Sequence, residues 1–339
     1  MKQSGKLILI VFLCLLTLVL AVGVGSVYVP PGDAVKIMLY KATGLRMEPF
    51  PGDTAMSILW SIRVPRVLLS FLVGAALSMS GAVMQSVLRN PMASSYTLGV
   101  SSGAALGAGF TILLGVSVFG SLTLPIFGLV FGIGTVFLAV AVAGRIDRGL
   151  SNVTVVLTGM AFSLFANAIL TLVMALAREN VQQLVFWQMG SFALKDFSHP
   201  ASLLPVVVAG LVILMFAAPE LDMMAFGEEQ AAASGVEVKR LKWLLLGFGA
   251  LMTGFSVALV GIIGFVDLFT PHVARRLFGA RHRWELPASA LLGGCFMVLC
   301  DLVARTIVAP LELPVGAVAS AIGAPFFVFL FFKQRKGAA

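Results

Sequence analysis

Residues 227–240 read GEEQAAASGVEVKR, a polar stretch between two uncharged apolar runs, 197–219 and 243–266. Each run has the roughly 20 residues that an α-helix needs to cross the hydrocarbon core of a bilayer. Two crossings joined by a polar segment put that segment in water at one face of a membrane. Within it, Gly227 to Gly235 favours helix: Glu228, Glu229, Gln230 and three alanines are good formers, and the two glutamates suit the positive N-terminal end. Gly235 suits the position after the last turn. Two turns do not hold together alone in water, so the segment must pack on something. The low surface of Ala231, Ala232 and Ala233 fits either the membrane itself or a groove on a partner protein.

Outward from this stretch the pattern repeats. Of the 339 residues, 59% are hydrophobic and 11% charged, against roughly 25% charged in a soluble domain. The mean hydropathy of +1.03 agrees. Other uncharged runs are 7–32, 67–88, 149–177 and 313–332, and Asn90 to Gly144 holds two more spans split near Ser117 to Thr123. Between Asp267 and Glu312, Leu268–Leu277 and Leu286–Val303 predict one short and one ordinary helix inside a bundle. The expected fold is an all-α polytopic membrane protein of about ten transmembrane helices, with 1–339 as a single transmembrane domain. Lys2 and Lys6 precede an apolar run, Leu7–Val29, about twice as long as a signal core, which predicts an uncleaved first span. With both termini inside, the inner segments are 1–6, 89–96, 145–152, 220–242, 275–285 and 333–339. They hold 15 of the 23 lysines and arginines, as the positive-inside rule requires.

The same distribution bears on function. A net charge of +8 spread between apolar spans is a topology signal and a lipid contact, not a nucleic-acid surface. No GxxxxGK[ST] phosphate loop is present, so the chain has no cradle for ATP. His199, His272 and His282 are scattered and without an HExxH motif; Cys14, Cys295 and Cys300 lie in apolar runs as buried thiols. The reading is of no enzyme, no resident metal and no cofactor bound by this chain. An ion-coupled secondary transporter is the rival class, and Asp267 is the sole carboxylate placed to serve one.

Smaller features complete the map. Residues 30–62, with Pro30-Pro31, Gly44, Pro49 to Pro51 and a weakly amphipathic piece at Asp33–Lys41, form an external connecting segment. It ends in Arg63-Val64-Pro65-Arg66, two arginines that stand at an outer mouth or anchor a helix end at headgroup level. Ser70, Gly74, Ser78 and Ala82, then Gly99, Gly103 and Gly107, recur every four residues and let helix backbones approach closely. Asn90-Pro91 should stop a helix at about Asn90. Gln85 lies at membrane depth, as glue between helices or on a water-filled path. Arg145–Thr154 is a short polar turn, and Arg178–Pro200, with Trp187, reads as an interfacial segment.

GEEQAAASGVEVKR, IRVPR (62–66), SGAVMQSVLRNPMASSYTLGVSSGAALG (80–107), GFVDLFTPHVARRLFGARHR (264–283) and DLVARTIVAPLELPVGAVASAIGAPFF (301–327) together resemble the permease subunits of ATP-binding-cassette importers for iron-siderophore, haem and cobalamin. The resemblance spans nearly the whole chain. It implies the type II importer permease fold in the cytoplasmic membrane, paired with a second permease copy or close homologue. Two ATPase subunits, carrying ATP and Mg, would bind a coupling segment at 220–240 through Gly227, Glu228, Glu229, Ala231, Ala232, Ser234 and Gly235. A substrate-binding protein would dock on Arg63, Arg66 and Arg305, although Asp301 stands four residues before Arg305 and fits a purely structural pair. The inner gate and pathway would include Gln85, Asn90, Pro91, Ser151, Asn152, Val153 and Asp267. Iron(III)-siderophore is the expected cargo, with haem, cobalamin and oxyanions behind. Four residues at three places depart from the family's pattern: Asn152-Val153 in place of small hydroxyl residues, Ser234 in place of leucine, and Asp267 in place of glycine, either on the path or bound to a neighbouring arginine.

Overall fold

Apolar runs become helices because only a helix satisfies its own backbone away from water. The computed structural model describes residues 3–336 apart from Ser26, Tyr28, Pro49, Arg148, Arg178 and Glu179; the readings at Lys2, Pro49, Arg148 and Arg178 lie outside the described residues. Helix α1 (Gln3–Gly23) stops nine residues short of the end of its apolar run. Helix α2 (Pro31–Thr43) starts on a proline and ends at Gly44 with φ 76, the usual pair of boundary residues. Helix α3 (Asp53–Ser57) continues through a π-helical turn, Ile58–Arg63, into α4 (Val64–Val87).

The rest of the chain follows as α5 (Val100–Leu113), α6 (Thr123–Ile146), α7 (Asn152–Leu176), α8 (Val181–Met189) and α9 (Ser198–Phe216). After these come α10 (Ala218–Phe226), α11 (Glu228–Ala233), α12 (Val238–Val260), α13 (Val266–Phe278), α14 (His282–Thr306) and α15 (Val315–Lys336). Among the described residues seven helices are long and apolar enough to cross a membrane: α1, the continuous Asp53–Val87, α6, α7, α9, α12 and α14. Helix α5 and the stretch Val315–Val328 of α15 are apolar but shorter. Helix α13 has 13 residues and carries Asp267, Arg275 and Arg276. The segment expected at the interface contains the nine-residue helix α8, whose Leu184 is fully buried.

Helix α4 is the axis: 83% of its apolar window is buried, and α9, α12, α13 and α14 pack around it. The small-residue stripe makes this possible. A Cβ on Gly74 would collide with the Gly293 carbonyl of α14, and one on Gly293 with the Gly74 carbonyl. Gly103 and Gly107 of α5 lie in the same way on the carbonyls of Phe131 and Phe127 of α6.

The bundle has two distinct ends. At one, Gln3 Nε2 and Lys6 Nζ donate to the Phe278 and Leu277 carbonyls at 3.1 and 2.7 Å. His282 meets Asp222 there, and Lys242 meets the Leu150 carbonyl. The chain start, the α6–α7 turn, the 220–242 segment and the α13–α14 turn thus share an end. At the other end, Arg63 binds the end of α1 and Val27 just beyond it, Ser191 N donates to Val260 O at 2.8 Å, and Val315 N to Gly190 O at 3.3 Å.

Candidate functional site

Helix α11 is set off by two glycines in backbone regions that side chains avoid, Gly227 at φ 137 and Gly235 at φ 92. The turn after it is closed by Gly235 N to Ala232 O at 3.0 Å and Val236 N to Ala231 O at 3.0 Å. Ser234 Oγ donates back to Gln230 O at 2.9 Å, a local bond that a leucine would lack. Glu229, Ala232, Ala233 and Ser234 are exposed. Ala231 is not: it is 1% exposed and packs into the core, which corrects its place in the partner surface, because one face of even a short helix must rest on its own bundle. Pro219, Met223, Val236, Glu237, Arg240 and Leu244 line a cleft of about 420 Å³ beside it.

Glu228 turns inward. Its Oε2 lies 2.7 Å from Nζ of Lys242, whose side chain is wholly covered. The same ammonium donates to Leu150 O at 2.8 Å and to Asn152 Oδ1 at 2.9 Å. In the sequence Lys242 is one of the basic residues of the inner 220–242 segment, a topology charge. The signal was its phase: it lies one helical turn before the buried Leu245 and Leu246 and two before Gly249.

The α6–α7 turn is built locally. Asp147 accepts from Gly149 N at 2.8 Å and Ser151 N at 3.0 Å. The Ser151 hydroxyl, followed by these amides, holds the Asp147 carboxyl below the usual carboxylate range. Ser151 caps α7 by accepting from Thr154 N. Val153 is 69% exposed.

Gln85 is glue. Its Nε2 donates to the Asp267 and Leu268 carbonyls at 3.1 and 3.3 Å, and its Oε1 accepts from Arg275 at 2.5 Å. Arg275 Nε reaches Glu285 Oε1 at 2.6 Å. His282 bridges Asp222 Oδ1 at 2.6 Å and Ser86 Oγ at 2.7 Å. The sequence brought none of Glu285, His282 and Asp222 into a site. Helix α4 ends at Val87, three residues before Asn90, with Arg89 at φ 47. Asn90 Oδ1 accepts from Met92 N at 2.9 Å, and Pro91 is exposed. Asp267, 1% exposed, accepts from Ser94 Oγ at 2.5 Å. Its neighbour is therefore a serine of the 90–99 turn rather than an arginine. Among the described residues no cluster of three or more metal-ligating side chains occurs.

The sequence profile of the FecCD transport family matches residues 13–333. The chain belongs to that family. The uncharacterized ABC transporter permease protein YvrB of Bacillus subtilis is 38% identical over 95% of this chain and 91% of its own length. The hemin transport system permease protein HmuU of Yersinia pestis is 35% identical over 84% and 86%. A solved inward-facing conformation of an ABC transporter assigned to the metal-chelate type superposes with a TM-score of 0.83, at 29% identity, over 97% of this chain and 99% of that one. The protein is an integral membrane permease of an ABC importer.

At the permease's other end the expected docking arginines are interior. Arg63, 4% exposed, donates to Val22 O at 3.3 Å, Gly23 O at 2.8 Å and Val27 O. Arg66, 6% exposed, forks onto Asp301 at 2.8–3.1 Å and also holds Glu312 at 2.7 Å. Arg305, 4% exposed, donates to Ala21 O at 2.5 Å and stands 3.7 Å from Asp301. Their charge closes the broken end of α1 and the α4–α14 seam. It is already matched by carbonyls and carboxylates of the same chain, so these side chains present no free guanidinium to a docking protein.

Proposed function

We propose that this chain is the membrane-spanning subunit that moves an iron(III) chelate of the siderophore type across the cytoplasmic membrane by ATP-driven alternating access. Ten helices form one transmembrane unit: the seven long ones with α5, α13 and α15. Two such subunits pair around a central path. ATPase subunits bind at the end carrying α10, α11 and the start of α12, and a substrate-binding protein docks at the end carrying α2 and α3. The chain's N- and C-termini lie on the ATPase side.

The observation that carries the reading is α11 itself. It is a two-turn helix with Glu229, Ala232, Ala233 and Ser234 free on one side and a cleft beside it, in a chain with no phosphate loop of its own. The cargo reading is supported by relatives named for hemin and metal chelates, both metal-centred ligands wrapped in organic groups, and haem is the second reading. Specificity is expected in the binding protein.

Uptake into right-side-out or reconstituted vesicles with ATP enclosed tests the class. Dependence on ATP at the α11 side and on a binding protein at the other supports the importer; uptake driven by a proton gradient alone would reject it. A Glu229→Cys variant should crosslink to the ATPase in an active complex.

A further inference from the structure

The charge buried most deeply at the α11 end is Lys242. An ammonium with no exposed surface persists only when every proton has an acceptor, and this one has three, each from a different element. Glu228 is the first residue of α11, Asn152 is the first residue of α7, and Leu150 lies in the turn between α6 and α7. Leu150 takes φ 53, a left-handed backbone that leucine rarely adopts, and its carbonyl is the one that the ammonium holds. Lys242 itself sits in the first turns of α12. One nitrogen thus ties the polar segment to a 25-residue helix that is long enough to cross the membrane. Asn152, a departure from the family's small hydroxyl residue, is accounted for by the same contact: its side-chain carbonyl reaches a cation that a serine would fall short of.

We propose that Lys242 is the positioning residue that joins α11 to the α6–α7 turn, so that a displacement of α11 by the ATPase is delivered to α7. This rests on the importer reading, because it supposes a partner that moves α11. Without the ammonium, α11 still packs on α12 and α7 on α5 and α6, and α11 and α7 share no polar contact among those described. A shift of Glu228 would be absorbed by the loop. With it, Glu228, Leu150 and Asn152 are held about one donor and must shift together or leave a buried charge uncompensated.

Proteoliposomes holding the permease, its ATPase and its binding protein decide the matter. Wild-type uptake driven by ATP is measured first; its absence rejects the importer reading and is seen before any variant is compared. In Lys242→Met, uptake per ATP hydrolysed is expected to fall about ten-fold or more, and in Glu228→Gln by less, since an amide oxygen still accepts. Unchanged uptake per ATP in Lys242→Met overturns the proposal. Because that variant loses a buried charge and can fail to assemble, a second measurement keeps Lys242 intact. Spin labels on Glu229→Cys and Val153→Cys, both exposed in the native chain, should keep one separation with and without nucleotide. A nucleotide-dependent change in that separation shows that the two segments move independently and overturns it as well.

Discussion

Replacing Arg66 with methionine tests whether the arginines at the outer end hold the fold or await a partner. Arg66 places Nε 3.0 and 3.1 Å from the two Asp301 oxygens, NH2 2.8 Å from Oδ1, and NH1 2.7 Å from Glu312. The Asp301 side chain is 1% exposed, whereas that of Glu312 is 40% exposed. Losing Arg66 therefore leaves Glu312 free to hydrate but strands Asp301, with Arg305 Nε at 3.7 Å as its remaining cation. Removing one partner of a buried pair costs about 3–5 kcal/mol, or about a hundred- to several thousand-fold in the unfolding equilibrium. The Arg66→Met, Asp301→Leu double variant removes both charges and should recover about half of the loss, the remainder reflecting Arg305 left with the Ala21 carbonyl. Unfolding of the purified permease by SDS in mixed micelles reads the difference. If Arg66→Met unfolds within about 0.5 kcal/mol of wild type, the network does not hold the seam and the reasoning fails.

Three further outcomes follow from particular contacts. Gly293→Ala should destabilise the α4–α14 crossing by about 1–3 kcal/mol, as overpacking does, because its Cβ meets the Gly74 carbonyl and Ser78; the same micelle titration reads it. Asp267→Asn should preserve ATP-driven uptake within about two-fold, since the carboxylate is covered and bonded to Ser94; abolished uptake with hydrolysis intact would return Asp267 to the path. The Asp147 carboxyl is lowered in the folded turn, so its contribution is fully present above the ordinary carboxylate pKa near 4 and is lost as pH falls through the depressed folded value. Hydrogen exchange at Gly149 and Ser151 should then be protected at pH 5–8 and lose protection only in stronger acid. Asp147→Asn should remove that acid dependence.

Hydropathy alone fixed the class of this protein, because the free energy of a charge in hydrocarbon leaves long uncharged runs no other home. The polar segment at 227–240, the helix within it and the break near Asn90-Pro91 were legible for the same reason: each depends on residues within a few positions of one another. Burial and pairing were not. Arg63 and Arg66 read as cations of the outer mouth or the headgroup level until tertiary contacts brought Gly23, Asp301 and Glu312 to them across up to 246 positions; for Arg305 the pairing with Asp301 was already open in the sequence, and the fold added the Ala21 carbonyl. Ala231 and Ala232 are chemically the same residue in one helix, and only the packing of α11 on its bundle covers the first and leaves the second exposed. Lys242 shows the division most plainly. A lysine beside an apolar run is a topology charge in sequence, and it became a junction of three elements only when folding supplied Glu228, Leu150 and Asn152 as its acceptors. Local propensity and solvent partition act along the chain, whereas the neutralisation of a buried charge depends on which distant groups the fold brings within about 3 Å.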